Sequence, residues 1–191
     1  LHLAELGWAC LAKVDIRQLA KPYIEELRRA TGETVHLAVI MDNSMVYIDK
    51  SESEHVLGMK SRVGASVPLH CTGIGKALCA FLPQDFVLAR LKRAGMTKYT
   101  ANTIVDVDAF FECLAKVREC GYALDDEEHE EGIRCVAVPV MDYTGRAVAA
   151  VSASGPTVRV THERQHEMIP LVEEAGRKIS AALGLKGDGC L

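Results

Sequence analysis

Two short apolar segments joined by a tight turn constrain the fold of this chain most. The segments Val136 to Met141 and Ala147 to Ser154 are rich in β-branched residues and alanine, and the turn Asp142-Tyr-Thr-Gly145 lies between them. Such turn chemistry between two strand-like runs is typical of a β-hairpin. We therefore predict that the two segments pair as antiparallel strands.

Isolated polar side chains accompany this hairpin. Ser152 and Ser154 are separated by one alanine, so both hydroxyls should point to the same face of their strand. Cys135 begins the partner strand, and Asp125 ends the strand before it. Polar groups that are spaced in this way along apolar strands indicate the wall of a ligand pocket.

The remaining patterns predict helices and further strands around the hairpin. Asp15 is a suitable N-cap for a helix that ends at Gly32, and residues 35–41 and 45–49 are expected to form a second hairpin. Further helices are predicted over residues 72–82, 83–91, 106–120 and 161–183, with a loop or strand fragments over residues 52–65. Because strands and helices do not alternate regularly, we predict an α+β fold, a mainly antiparallel sheet with helices on its faces.

Composition limits the classes of protein to which the chain can belong. Its 191 residues fit one domain, and 49% hydrophobic and 25% charged residues are a globular composition. A net charge of −4 without a basic cluster argues against DNA binding by this chain alone. Seven cysteines without CxxC spacing indicate reduced thiols in the cytoplasm. No apolar run approaches the roughly 18 residues of a membrane helix.

Several short motifs occur together in a characteristic order. They are Glu33-Thr-Val-His-Leu37, Val46-Tyr-Ile48, Pro68-Leu-His-Cys-Thr-Gly-Ile-Gly-Lys-Ala77, Gly121-Tyr122, Asp125-Asp-Glu-Glu-His129, Gly132-Ile-Arg-Cys135, Ala137-Val-Pro139 and Ser152-Ala-Ser-Gly-Pro156. From about residue 6 to residue 184 the chain resembles the effector-binding domain of the IclR family of bacterial transcriptional regulators. Within the family it is most similar to the KdgR-like branch, whose members respond to sugar-acid breakdown products.

The resemblance implies a six-stranded GAF-like or PAS-like domain that senses a small carboxylate effector and is not an enzyme. Residues 15–185 would form this domain, residues 1–14 the end of an interdomain linker helix, and residues 186–191 a frayed tail. The family associates as dimers or tetramers and binds DNA through an N-terminal winged helix-turn-helix domain, which we expect to precede this fragment. No cofactor and no metal is expected. The implied effector-binding residues are Val56, Met59, Val67, Gly73, Ile74, Asp125, Cys135, Ser152 and Ser154.

The segment Cys71 to Ala77 invites comparison with a phosphate-binding loop, but it does not fit one. Such a loop needs Gly at position 70 and Ser or Thr at position 77, where this chain has His and Ala. With Thr72 as N-cap, the backbone N–H groups of Gly73 and Ile74 would instead lie at an open helix start, where a carboxylate can bind. The alternative is a tight helix start without a ligand. Lys76 is expected on the outer side of this helix.

Asp125 differs from the acidic residues that follow it. Residues 126–131 are expected to form a solvated acidic turn, whereas Asp125 ends a strand and could face inward. An inward carboxylate would repel the carboxylate of a ligand, unless it accepts hydrogen bonds from hydroxyls at the other end of the molecule. Asp125 therefore predicts selection for a hydroxylated acid.

A second hypothesis is a small thiol-dependent or zinc-dependent enzyme. It would use Cys135 with His129 or His70, and with Cys71 these residues could supply zinc ligands. No spacing marks a pair of nucleophile and base, and a buried cysteine is more often a small apolar filler. The sequence therefore favours the sensor over the enzyme.

Overall fold

The computed structural model describes residues 15–186, and the interdomain helix predicted for residues 1–14 lies outside this range, as does most of the predicted tail. Its helices are α1 (Ile16–Thr31), α2 (Gly73–Cys79), α3 (Gln84–Ala94), α4 (Val107–Cys120) and α5 (His162–Ala182). Its strands are β1 (Thr34–Met41), β2 (Ser44–Ser51), β3 (Ser66–Val67), β4 (Ala123–Asp126), β5 (Ile133–Met141) and β6 (Ala147–Pro156). The predicted α+β class and six-stranded sheet are confirmed.

Local signals explain where the helices begin. The side chain of Asp15 accepts a hydrogen bond of 2.9 Å from the backbone N–H of Arg17, and Gly32 ends α1 in the left-handed conformation. Asp106 and Thr161 cap α4 and α5 in the same manner. These side chains satisfy backbone donors that the first helical turn leaves unpaired.

The strands form one antiparallel sheet in the order β3-β2-β1-β6-β5-β4. Both predicted hairpins are present, β1 with β2 and β5 with β6. The segment between β2 and β3 is largely irregular, and β3 has only two residues. We call residues 52–65 the cover loop.

Two apolar layers lie on opposite faces of this sheet. Helices α1 and α5 cover one face, where Val151 and Ala153 of β6 are fully buried. Helices α2, α3 and α4 cover the other face, where Ala150 lies. Because side chains alternate along a strand, Ser152 and Ser154 share the face of Ala150 and lie under α2. Within residues 15–186, no helix is long and apolar enough to cross a membrane.

Candidate functional site

The start of α2 lies directly against the sheet because residue 73 is a glycine. A Cβ atom at Gly73 would lie 2.4 Å from Sγ of Cys135, which is closer than two non-bonded atoms can approach. A Cβ at Gly75 would likewise lie 2.3 Å from the carbonyl oxygen of Leu69. Gly73 therefore allows the helix backbone to reach side chains of β4 and β5, and Gly75 allows it to pass close to the backbone of Leu69.

A small cavity lies at this contact. It is lined by Tyr47, Met59, Thr72, Gly73, Ile74, Asp125, Ile133, Cys135, Ser152 and Ser154. The strand register brings the polar members together, since Asp125 pairs with Cys135 and Cys135 pairs with Ser154. The free volume is about 20 Å³, enough for about one water molecule. We call this space the α2 cavity.

Seven of the nine predicted site residues line the α2 cavity. The structure does not bring Val56 or Val67 to it. Val56 is fully exposed on the cover loop, where it lines a separate open cleft. Val67 is buried in the apolar layer of α2, α3 and α4. Direct binding roles for these two residues remain predictions from the family resemblance.

Three further lining residues, Tyr47, Thr72 and Ile133, were not predicted as site residues. Thr72 was predicted as the N-cap of α2, and its hydroxyl does accept a hydrogen bond of 3.2 Å from the N–H of Gly75. Tyr47 follows the inward alternation of β2, in which Met45, Tyr47 and Asp49 are buried. That alternation is visible in the sequence and could have identified Tyr47.

Asp125 is a buried carboxyl group among few compensating charges. Burial raises its pKa to about 7, although Lys76 and the backbone N–H groups of Glu128 and Gly73 act in the opposite direction. The N–H of Glu128 donates to Oδ1 of Asp125 at 2.9 Å. Near neutral pH this carboxyl group can therefore hold a proton, and it can donate as well as accept a hydrogen bond.

The prediction that Lys76 faces outward is wrong. Lys76 is buried, and its ammonium group forms an ion pair with the carboxylate of Glu128. Burial alone would lower the pKa of Lys76, but the nearby Glu128 carboxylate raises it. The ion pair joins α2 to the acidic segment that holds Asp125, and thereby fixes two walls of the α2 cavity.

The acidic run is also less solvated than the sequence indicated. Glu128 is buried, and its carbonyl oxygen accepts hydrogen bonds from Thr103 at 2.6 Å and from Thr100 at 3.3 Å. Asp126 accepts a hydrogen bond of 2.6 Å from Arg134. The segment after β4 is thus anchored by defined partners, which a run of acidic residues does not reveal.

His36 is a polar residue on the same face that sequence reasoning did not select. Its ring is fully buried, stacks on Tyr47 with centroids 4.4 Å apart, and is hydrogen bonded through Nε2 to Oγ of Ser61 at 2.7 Å. Burial, aided by the charge of Lys50, lowers its pKa to about 3. His36 pairs with Ser152 across β1 and β6, so the two side chains are neighbours on one face.

The geometry does not support the enzyme hypothesis. His70 and His129 flank the ring of Tyr99, with centroids 6.2 Å and 5.0 Å from it, and His70 is hydrogen bonded to the carbonyl of Thr97. Cys135 lies instead in the α2 cavity, where burial raises the pKa of its thiol. No group of three or more His, Cys, Asp or Glu side chains in residues 15–186 is placed to hold a metal ion.

Comparisons with known proteins agree with this geometry. Residues 8–181 match the family model described as bacterial transcriptional regulator IclR C-terminal. The HTH-type transcriptional regulator KdgR of Escherichia coli K12 is 43% identical over 184 residues, which are 96% of this chain and 70% of KdgR.

Solved structures show the same likeness. The C-terminal domain of E. coli KdgR superposes with a TM-score of 0.80 at 40% identity, covering 90% of this chain and 99% of that domain. A PobR inducer-binding domain from Acinetobacter superposes with a TM-score of 0.80 at 26% identity, covering 87% of this chain and 98% of that domain.

Proposed function

The chain belongs to the IclR family of bacterial transcriptional regulators and carries their C-terminal ligand-binding domain, and from this premise we propose that the α2 cavity binds a small hydroxylated or keto carboxylate of the sugar-acid type. The proposal is based on one observation: the start of α2, the carboxyl group of Asp125 and the hydroxyls of Ser152 and Ser154 all line one cavity.

Each part of the cavity suits one part of such a ligand. The backbone N–H groups at Gly73 and Ile74 are suited to a ligand carboxylate, which would compete with Asp125 for the N–H of Gly73. Ser152 and Ser154 can donate to or accept from hydroxyl or keto oxygens. Asp125 is the counterpart of the ligand hydroxyls. Its raised pKa lessens the repulsion between two carboxyl groups, because the protonated form carries no charge.

A solved relative supports the ligand class. The PobR inducer-binding domain from Acinetobacter was crystallised, as a double mutant, in complex with 3-hydroxybenzoic acid, which is itself a hydroxylated carboxylate. The fold is shared over most of both chains. A hydroxylated acid in the α2 cavity of this chain would meet the serines of β6 and the start of α2.

The binding signal would reach DNA through a separate domain of the regulator. A chain with a net charge of −4 and no basic cluster is poorly suited to bind a phosphate backbone itself. We propose that the domain associates as a dimer or tetramer and that the effector favours one arrangement of the paired DNA-binding domains. Such coupling requires that the effector bind the two arrangements with different affinity.

A thermal-shift screen tests the function. The panel holds sugar acids, 2-keto acids and aromatic acids, together with the neutral sugars that match the sugar acids. A true ligand at about 100 times its Kd stabilises by about 2.7 kcal/mol, which raises Tm by about 5–10 °C in a domain of this size. The shift should shrink in the Ser152→Ala/Ser154→Ala double variant. Neutral sugars that match the shift of their acids, or an undiminished shift in the double variant, would contradict the proposal.

A further inference from the structure

The α2 cavity is closed in this conformation. Outside it lies an open cleft of about 660 Å³, lined by Thr34 and by the cover loop. Met59 lines both the cleft and the α2 cavity. A ligand of several carbon atoms cannot fit in about 20 Å³, so it reaches the serines only when the segment that carries Met59 moves.

The cover loop is held by polar contacts more than by apolar packing. Its aliphatic side chains Val56, Leu57 and Val63 are 108%, 61% and 49% exposed. At its start, Oγ of Ser53 donates to the carbonyl of Gly32 at 2.6 Å. A segment that buries so little apolar surface can open at a small cost in free energy.

Ser61 joins the cover loop to the face of the sheet that carries the cavity. Its hydroxyl is hydrogen bonded to Nε2 of His36 at 2.7 Å, and its carbonyl oxygen accepts from Nζ of Lys50 at 2.6 Å. Because His36 pairs with Ser152 in the strand register, a ligand held by Ser152 would lie beside the same imidazole ring.

The closed state leaves one atom of this ring unsatisfied. Nδ1 of His36 is buried and has no hydrogen-bond partner in the part of the chain that the structure describes. A neutral imidazole has one nitrogen that donates and one that accepts, so one hydrogen-bonding position is lost whichever tautomer is present. An unpaired buried polar atom is unfavourable. A water molecule or a ligand hydroxyl that reaches the ring could satisfy it.

We propose that the cover loop is a gate to the α2 cavity and that Ser61 is its latch, held by His36 and Lys50. The proposal rests on the function given above, since it describes how an effector enters that site. An effector that hydrogen bonds to Nε2 of His36 replaces Ser61 at that atom and shifts the population towards the open loop, whereas one that bonds only to Nδ1 leaves the latch in place. His36 is thus a positioning residue that links occupancy of the cavity to the position of the loop.

Native cysteines report opening of the gate without any ligand. Cys135 lines the α2 cavity and is 6% exposed, whereas Cys79 lies in the apolar core and is 1% exposed. A small thiol reagent, methyl methanethiosulfonate, reacts with each only when the surrounding structure opens. Peptide mass spectrometry gives the two rates separately in one sample.

Ser61→Ala should raise the labelling rate of Cys135 about fivefold, the factor that corresponds to one neutral hydrogen bond of about 1 kcal/mol. The rate of Cys79 should not change. Ser61→Thr keeps the hydroxyl and should return the rate of Cys135 close to that of the unmodified protein. Ser44→Ala removes a hydroxyl from the β1–β2 turn, where it bonds only weakly to the carbonyl of Met41 at 3.5 Å, and should leave both rates unchanged.

Two results would overturn the gate. One is an unchanged rate of Cys135 in Ser61→Ala. The other is an equal rise at Cys79, which would mean that the substitution loosens the whole domain. Because no ligand is used, the gate can fail while a carboxylate still binds, and the ligand screen can fail while the gate holds.

Discussion

Asp125 is the residue whose chemistry depends most on its surroundings. It lies in the α2 cavity, and the ammonium group that acts on it, that of Lys76, is already paired with Glu128. Charged and titratable groups around it belong to several elements: Lys76 on α2, Glu128 after β4, Cys135 on β5 and Cys71 before α2. Burial therefore dominates, and it favours the neutral carboxyl group.

The raised pKa of Asp125 predicts that this residue destabilises the fold as pH rises. In the unfolded chain its pKa is near the ordinary value of 3.8, and in the folded chain the pKa is about 7. Its contribution is therefore fully present below about pH 4 and is lost as pH rises towards and through 7. Asp125→Asn, which cannot ionise, should be more stable than the unmodified domain at pH 8, on the order of 1–4 kcal/mol, with little difference near pH 4.

Urea unfolding at both pH values measures this effect. Asp108→Asn changes an exposed aspartate in the first turn of α4 and is the matched control. It makes the same chemical change at an exposed position, so a difference between the two variants reports the burial of Asp125. If Asp125→Asn behaves like this control, burial does not raise the pKa of Asp125 and its place in the ligand proposal needs revision.

Residues differ in how far the sequence predicts them. Ser152, Ser154 and Cys135 follow from strand alternation and pairing, which depend on neighbours only a few positions away. Lys76 was placed wrongly, because α2 has seven residues and all of them are buried, so no exposed face exists for a lysine to occupy. The partner of Lys76 is 52 positions away in the sequence, and local patterns do not reveal it.

At the level of elements, the site depends on how α2 is fixed against the segment after β4. The ion pair between Lys76 and Glu128 crosses this contact, with side chains that are 3% and 10% exposed. Removal of one partner from a buried pair leaves an uncompensated charge, whereas replacement of both by apolar residues can be neutral. The pair thus contributes more to the position of α2 than to net stability.

Single substitutions of this pair should be costly. Lys76→Met should destabilise the domain by about 3–5 kcal/mol, because Glu128 is then buried without a cation. The double variant Lys76→Met/Glu128→Leu should recover most of this loss. Chemical denaturation of the single and double variants gives the coupling energy. A cost below about 1 kcal/mol for Lys76→Met would be typical of an exposed pair and would contradict the buried arrangement.

Elements with strong local signals were predicted well. The helix caps at Asp15, Thr72 and Asp106 and the two hairpins are all present. The cover loop was predicted only as a loop or strand fragments, because its position depends on His36 of β1 and Lys50 of β2, which lie 25 and 11 residues from Ser61 in the sequence. For the same reason, the sequence did not indicate that His36 contacts Ser61 and Tyr47.

In the whole molecule, one strand serves both faces of the sheet. Ser152 and Ser154 of β6 face the α2 cavity. The alternate residues Val151 and Ala153 point to the opposite face, where they pack against α1 and α5. A ligand that shifts β6 would therefore also disturb the packing of α1 and α5. The family model spans residues 8–181, so this arrangement belongs to the ligand-binding domain as a unit.

The central claim, that this domain senses a small acid through the start of α2, is tested most directly by calorimetry with an acid and its amide. The titration uses the acid that gives the largest thermal shift and the corresponding primary amide, which keeps the shape and loses the charge. Hydrogen bonds to a charged group are stronger than those to a neutral one, so the acid should bind more tightly by about 1.5–3 kcal/mol. Equal affinity for the amide would contradict the claim and would favour a neutral effector.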